Sequence, residues 1–284
     1  MASRPTSQPV LTMDGIVVRF GGVVALDGVD LDVGPGEVLG VIGPNGAGKT
    51  TLFNVACGFV APTKGRIHFE GKDVTGWRPH DLVHHGVARS LQGLGLFNRL
   101  SVLDNVLIGA ERHARAGFFS SLLAMPGAVK DEAALRDRAM AVLDRLDIKG
   151  RAGETVGSLP YPLRKRVALA RALVAQPRLL LLDEPAAGLS ETEMSELGDI
   201  ILDLAQEVSV MLVEHHMDLV MRVCDRLTVL DFGRVIAAGT PDEVRNDPVV
   251  LDAYLGASVE DPSGEDAATS VSGDAATTKG ATSA

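Results

Sequence analysis

Apolar and polar positions along the chain switch between two periods, and the switches predict its elements. Ile16, Val18 and Phe20 stand at every second position, the spacing of a strand with one covered face. Residues 37–42, EVLGVI, and the leucine run 179–182 are short continuous apolar stretches, as parallel strands carry when both faces are covered. Helical spacing takes over between such runs. Leu163, Val167, Ala170 and Val174 share one helical face. Between residues 103 and 148 a helical insert is predicted, with residues 110–117 helical and Ala134, Met140, Leu143 and Leu146 forming the apolar stripe of a second helix. Thr240, Pro241 and Glu243 are placed as N-cap, first helical residue and capping-box partner of a last short helix. The rhythm from residue 10 to 256 is that of an α/β protein with a largely parallel sheet.

Residues 1–9 form an N-terminal extension, and 257–284 are too poor in large apolar side chains to offset the entropy of ordering them. A disordered acidic tail is expected there. With 46% apolar residues the remainder can bury a sizeable core. Cys57 and Cys224, far apart and without CxxC spacing, argue against a disulfide framework or thiolate zinc and fit buried residues in a reducing compartment. No uncharged apolar run approaches the roughly 18 residues of a membrane span, and the N-terminus lacks the apolar core of a secretory signal. A soluble cytoplasmic chain is expected. The formal net charge of −10 argues against nucleic acid as a partner, since phosphate binding relies on Lys and Arg.

The first run of chemistry follows the strand at 37–42. Gly43, Pro44, Asn45, Gly46, Ala47, Gly48, Lys49 and Thr50 have the P-loop spacing, with Thr51 next in the following helix. Glycines let backbone N–H groups wrap a phosphate chain, Lys49 reaches its outer phosphates, and Thr50 offers a hydroxyl to Mg²⁺. The leucine run ends in Asp183 and Glu184, at the edge of a buried parallel strand where ligands gather. Alone, such a pair reads as a solvated turn. Beside a P-loop, Asp183 is placed to hold Mg²⁺ through water and Glu184 to orient and deprotonate the attacking water.

Together these residues resemble the ATP-binding subunits of ABC transporters, over about residues 10–256. Gln92 in ARSLQG is similar to the family's Q-loop glutamine, a Mg²⁺ and water ligand. AAGLS at 186–190 resembles the D-loop, with Ser190 replacing an Asp or Asn, and His215 resembles the switch histidine that senses the γ-phosphate. Phe20 stands where an aromatic ring stacks on adenine. EPAAGL, VEHHMDLVM and RNDPVVLDAYLG look most like the importer branch serving branched-chain amino acids and related small polar solutes. The resemblance implies a P-loop NTPase core of ABC ATPase type, with an antiparallel β subdomain and a helical subdomain inserted at about 93–160. It also implies ATP hydrolysis with Mg²⁺, coupled to transport. Transmembrane permease subunits, a second ATP-binding subunit and, indirectly, a solute-binding protein are the implied partners. The implied location is the cytoplasmic face of the cell membrane, as a peripheral membrane protein.

One segment departs from the family. Where it carries LSGGQ or LSYGQ, this chain has Leu159, Pro160, Tyr161, Pro162 and Leu163. In the family this signature completes the ATP site of the opposite subunit. Pro160 removes a hydroxyl and Pro162 a backbone N–H. Either the opposite site of a heterodimer is compromised, or the N–H of Tyr161 or Leu163 substitutes. Four further places in the chain allow two readings each. Phe20 stacks on adenine or belongs to the core, and His215 with His216 serves as the switch or as a metal site. His80 with His84 and His85 is a metal site or a plain helical face, and Leu96 with Phe97 contacts a permease or packs in the core. Asp231, Phe232 and Gly233 spell a kinase tripeptide, but without the companion kinase motifs they predict a hairpin turn. A non-hydrolysing regulatory subunit would lack Glu184, and a soluble non-transport ABC protein would show a coiled coil, a second ATPase domain or a basic surface.

Overall fold

The computed structural model describes residues 8–90, 94–110 and 126–257. Two sheets organise it. Strands β1 (Leu11–Phe20), β2 (Val23–Val33), β4 (Lys64–Phe69) and β5 (Lys72–Asp73) form an antiparallel sheet in the order β2-β1-β4-β5. Strands β3 (Val38–Ile42), β6 (Val87–Arg89), β7 (Leu179–Asp183), β8 (Ser209–Val213), β9 (Arg226–Asp231) and β10 (Arg234–Gly239) form the second, ordered β10-β9-β3-β8-β7-β6. Only β10 runs antiparallel to its neighbour there. Every residue of β3, β7 and β8 is buried, which explains why these strands read as unbroken apolar runs.

Helices α1 (Lys49–Ala56), α2 (Asp81–His85), α3 (Val102–Gly109), α4 (Pro126–Arg145), α5 (Tyr161–Leu173), α6 (Glu191–Leu204), α7 (Met217–Val223), α8 (Pro241–Arg245) and α9 (Pro248–Ala257) complete the described chain. The capping box at Thr240 and Glu243 is present, and a second one at Ser190 and Glu193 opens α6. In α4 the buried stripe runs through Ala139 and Leu143, continued by Leu146 just past its end, with Leu135 and Met140 partly buried, whereas Ala134 is exposed. Alanine carries too little apolar surface to set the phase, and the larger leucines decide which face turns inward. Most of 110–117, and all of 258–284, lie outside the described residues. Both cysteines are buried, and burial pushes each thiol up to about 12.

Arg226 joins the two sheets. Its guanidinium reaches Asp32 at the end of β2 and the buried Glu37 just before β3, at 2.8 Å and 2.9 Å. Burial works against its charge, yet the hydrogen bonds that it donates to these two carboxylates hold it above the usual arginine range.

The expectation of a peripheral membrane protein is corrected. No described helix is long and apolar enough to cross a membrane, and no described element places the chain at one. The longest, α4, is interrupted by charge at Asp131, Glu132, Arg136, Asp137, Arg138, Asp144 and Arg145.

Candidate functional site

Strand order brings the chemistry to one sheet edge. The C-terminal ends of β3, β7 and β8 lie side by side and lead into 43–48, Asp183–Glu184 and 214–216 respectively. At Gly43, φ is +147° and a Cβ would sit 2.1 Å from the carbonyl oxygen of Leu230; at Gly48, φ is +102° and a Cβ would meet the Ala25 oxygen at 2.8 Å. Only glycine fits either place. The loop frames a cavity of about 430 Å³ lined by Asn45, Gly46, Ala47, Lys49, Thr50 and Thr51 together with Glu184. No acidic residue stands in the first turn of α1 to compete for its N–H groups. The Lys49 ammonium donates to the loop's own carbonyls at Gly43 (2.7 Å) and Pro44 (2.8 Å). Burial lowers its pKa, and the nearby Glu184 carboxylate opposes that shift.

Asp183, buried at the end of β7, lies 3.7 Å from Arg89 at the end of β6. Burial raises its pKa, while Arg89 favours the charged form. The Arg89 guanidinium is itself stacked against Phe53 (4.9 Å) and Phe59 (4.7 Å). Glu184 adopts φ +46°, and its N–H donates to the carbonyl of Val213 at 2.9 Å. A left-handed glutamate is strained by about 1–3 kcal/mol. The strand ends at this turn, and Glu184 lines the phosphate cavity.

A family model described as ABC transporter matches residues 26–187, and one described as Branched-chain amino acid ATP-binding cassette transporter matches residues 234–260. The chain is 39% identical over 252 residues to the high-affinity branched-chain amino acid transport ATP-binding protein LivG of Escherichia coli (strain K12), covering 88% of this chain and 99% of that protein. Against BraF of Pseudomonas aeruginosa, which has the same descriptive name, identity is 38% with the same coverage. A crystal structure of the ADP conformation of an ATP-binding cassette from an ABC transporter superposes with a TM-score of 0.76 at 33% identity, covering 88% of this chain and 100% of that one. A nucleotide-free ATP-binding cassette gives 0.74 at 33% identity, covering 87% and 99%. The chain belongs to the ABC transporter ATP-binding family, in its branched-chain amino acid branch.

The cassette has the P-loop ABC ATPase fold, and such a domain implies ATP and Mg²⁺. The residues fit: a glycine-containing loop, the Lys49 ammonium and the Thr50 hydroxyl line one cavity with the carboxylate-bearing Glu184, and Asp183 immediately precedes Glu184 at the end of β7. Gln92 lies outside the described residues, but the chain that leaves it is anchored, since Arg171 of α5 donates to the carbonyls of Leu94 and Gly95 at 2.7 Å and 2.6 Å. Phe20 is 53% exposed, so it is not core, and its register partner Val23 lines the cavity although Phe20 does not. The His215 side chain is half exposed and is not among the residues that line this cavity. Leu96 packs on the core and Phe97 is exposed.

Glu214, absent from the sequence-predicted site, directly follows β8, a carboxylate closing an apolar strand as Asp183 closes β7. Its side chain is fully buried, and Oε1 accepts from the N–H of Ala186 (2.8 Å) while Oε2 accepts from the N–H groups of His215 (2.8 Å) and His216 (3.1 Å) and pairs with the His216 ring (2.9 Å). Burial raises its pKa, but these hydrogen bonds prevail and hold it low. Among the described residues Glu214, His215 and His216 are the group whose ligand atoms converge, yet the carboxylate is already engaged by backbone donors of two loops. It joins the D-loop, at Ala186, to the histidine loop, at His215 and His216. Glu214→Gln would set an amide NH₂ against N–H donors, so turnover is expected to fall about ten- to hundredfold with ATP affinity little changed. Steady-state hydrolysis beside equilibrium ATP binding checks this, and unchanged turnover would remove the role.

In the signature segment Pro160 is the N-cap of α5 and Pro162 lies in its first turn. The first helical hydrogen bond runs from Arg164 N–H to the Pro160 carbonyl at 3.1 Å, so the helix forms despite both prolines. Lys165 donates to the carbonyls of Pro185 (2.6 Å), just before the D-loop, and Ala187 (2.5 Å), within it, and lies 5.3 Å from the Tyr161 ring. The Tyr161 ring in turn covers Gly188, where an added Cβ would lie 3.2 Å from it. Ser190 is engaged in capping α6.

Proposed function

We propose that this cassette hydrolyses ATP to energise import of branched-chain amino acids or related small polar solutes. In this reading it works from the cytoplasm on permease subunits, to which a solute-binding protein delivers the solute, and it pairs with a second, different ATP-binding subunit. The observation that carries the reading is the 39% identity across 99% of a relative named as a branched-chain amino acid transport ATP-binding protein. An unbroken hydrolytic set of Lys49, Asp183 and Glu184 supports turnover.

In this mechanism the P-loop N–H groups and Lys49 bind the phosphates and offset their charge. Mg²⁺, when bound, neutralises charge that develops on the phosphoryl oxygens, and Thr50, Asp183 and Gln92 are the residues that would hold it. Glu184 accepts a proton of the attacking water as the water oxygen bonds to the γ-phosphorus and the bond from that phosphorus to the β–γ bridging oxygen breaks, with ADP as the leaving group. His215 takes the place of a γ-phosphate sensor, held by Glu214. Exposed Phe97 is the candidate permease contact. The heterodimer follows from Pro160 and Pro162: the partner supplies an intact signature to this P-loop, while its own P-loop faces the weakened one.

Reconstitution with the permease and partner subunits in proteoliposomes tests the reading. ATP on the cassette side is expected to drive accumulation of labelled leucine or a related solute, and to fail when Lys49→Ala replaces the natural chain. ATP turnover with no accumulation of any such solute would refute the transport role.

A further inference from the structure

The turn between β9 and β10 carries an aromatic ring at an unusual place. Phe232 has φ +40° and is 81% exposed. Short hairpin turns with positive φ favour Asn, Asp or Gly, and an exposed phenylalanine keeps its apolar surface in water. Neither local backbone preference nor core packing explains this residue.

The turn is pinned against the P-loop. The N–H of Gly233 donates to the Ala47 carbonyl and the N–H of Asp27 donates to the Gly233 carbonyl, each at 2.9 Å. A Cβ on Gly233 would meet the Ala25 oxygen at 2.6 Å, and one on Gly48 would lie 3.4 Å from the Gly233 Cα. Arg234 adds an ion pair to Asp27 at 2.6 Å. Phe232 is thus held beside the phosphate cradle and lines the same cavity as Lys49. Val23 and Val24 share that wall and are 67% and 37% exposed. One side of the cavity therefore suits a polyanion and the other a flat apolar group.

We infer that Phe232 is a nucleotide-base contact, an aromatic wall supplied by the β9–β10 turn to a cavity that Phe20 does not line. The inference rests on reading the cavity as an ATP site. A stacked ring favours the larger purine face over a pyrimidine, so Phe232 also contributes to base preference. A contact between Phe232 and the second ATP-binding subunit is the competing use of an exposed ring, and binding to the single chain separates the two.

Equilibrium binding of ATP, CTP and inorganic tripolyphosphate is measured calorimetrically on the isolated chain, diluted until sedimentation shows a monomer. The natural chain, Phe232→Ala, Phe232→Tyr and Lys49→Ala are compared. Phe232→Ala is expected to weaken ATP about ten- to hundredfold, to narrow the preference for ATP over CTP, and to leave tripolyphosphate unchanged, with Phe232→Tyr restoring ATP. ATP binding by Phe232→Ala within about twofold of the natural chain would overturn the inference alone. Equal loss of ATP and tripolyphosphate would also overturn it, because the effect would then come through the cradle. A natural chain that binds neither ligand, like Lys49→Ala, would bring down the ATP-site reading itself.

Discussion

Glu184→Gln is expected to lower ATP hydrolysis by about two to four orders of magnitude, the usual contribution of a general base, while ATP affinity stays within about twofold. The structure explains why a single oxygen-to-nitrogen exchange should act so selectively. Glu184 lines the same cavity as the P-loop, on a backbone turned to φ +46° and tied to Val213. Glutamine has the same shape and can keep that backbone, but its amide cannot take a proton from water at neutral pH. The cradle that binds the phosphates is built from other residues, so binding should survive. Rapid-quench hydrolysis beside calorimetric ATP binding reads both quantities. Near-natural turnover by Glu184→Gln would show that another group accepts the proton.

Replacing Pro160 by Ser together with Pro162 by Gly is expected to raise hydrolysis by the isolated chain, acting as a homodimer, by about two to four orders of magnitude. Two donors are restored, and charge-assisted hydrogen bonds contribute roughly 1.5–3 kcal/mol each. The geometry supports the substitution. Pro160 already occupies the N-cap with extended ψ of 153°, the place where a serine hydroxyl stands free of the helix interior, and α5 does not depend on either proline for its first hydrogen bond. Glu184→Gln in the same background is the blank. Equal turnover by the natural chain would mean that the Tyr161 or Leu163 N–H suffices and that the asymmetric-site argument is wrong. In the heterodimer, loss of all hydrolysis on disabling the partner's P-loop, with none on disabling Lys49, would have the same meaning.

Much of the site is legible in the sequence because its parts are contiguous. The P-loop and the Asp183–Glu184 pair each lie within a few residues of the strand that presents them, so spacing alone announces the chemistry. The capping box at Thr240 is equally local. The matching box at Ser190 is harder to see, because the same serine closes the D-loop and its departure from Asp or Asn masks its capping role. Glu214 carries the same signal as Asp183, a carboxylate closing an apolar strand, but its partners at Ala186 and His216 belong to different loops. Arg89 has no readable signal at all, since its partners Asp183, Phe53 and Phe59 come from three separate segments.

By itself the sequence determined the strand and helix periods, the phosphate cradle, the two carboxylates and the departure at 159–163, since each is set by neighbouring residues and short-range geometry. Tertiary structure alone decided which loops meet. The order β9-β3-β8-β7 sets Gly43, Glu214 and Asp183 along one edge, and β2 carries Ala25 and Asp27 to the turn that exposes Phe232. These contacts join residues far apart in the chain, and they exist only once both sheets have closed over their shared core.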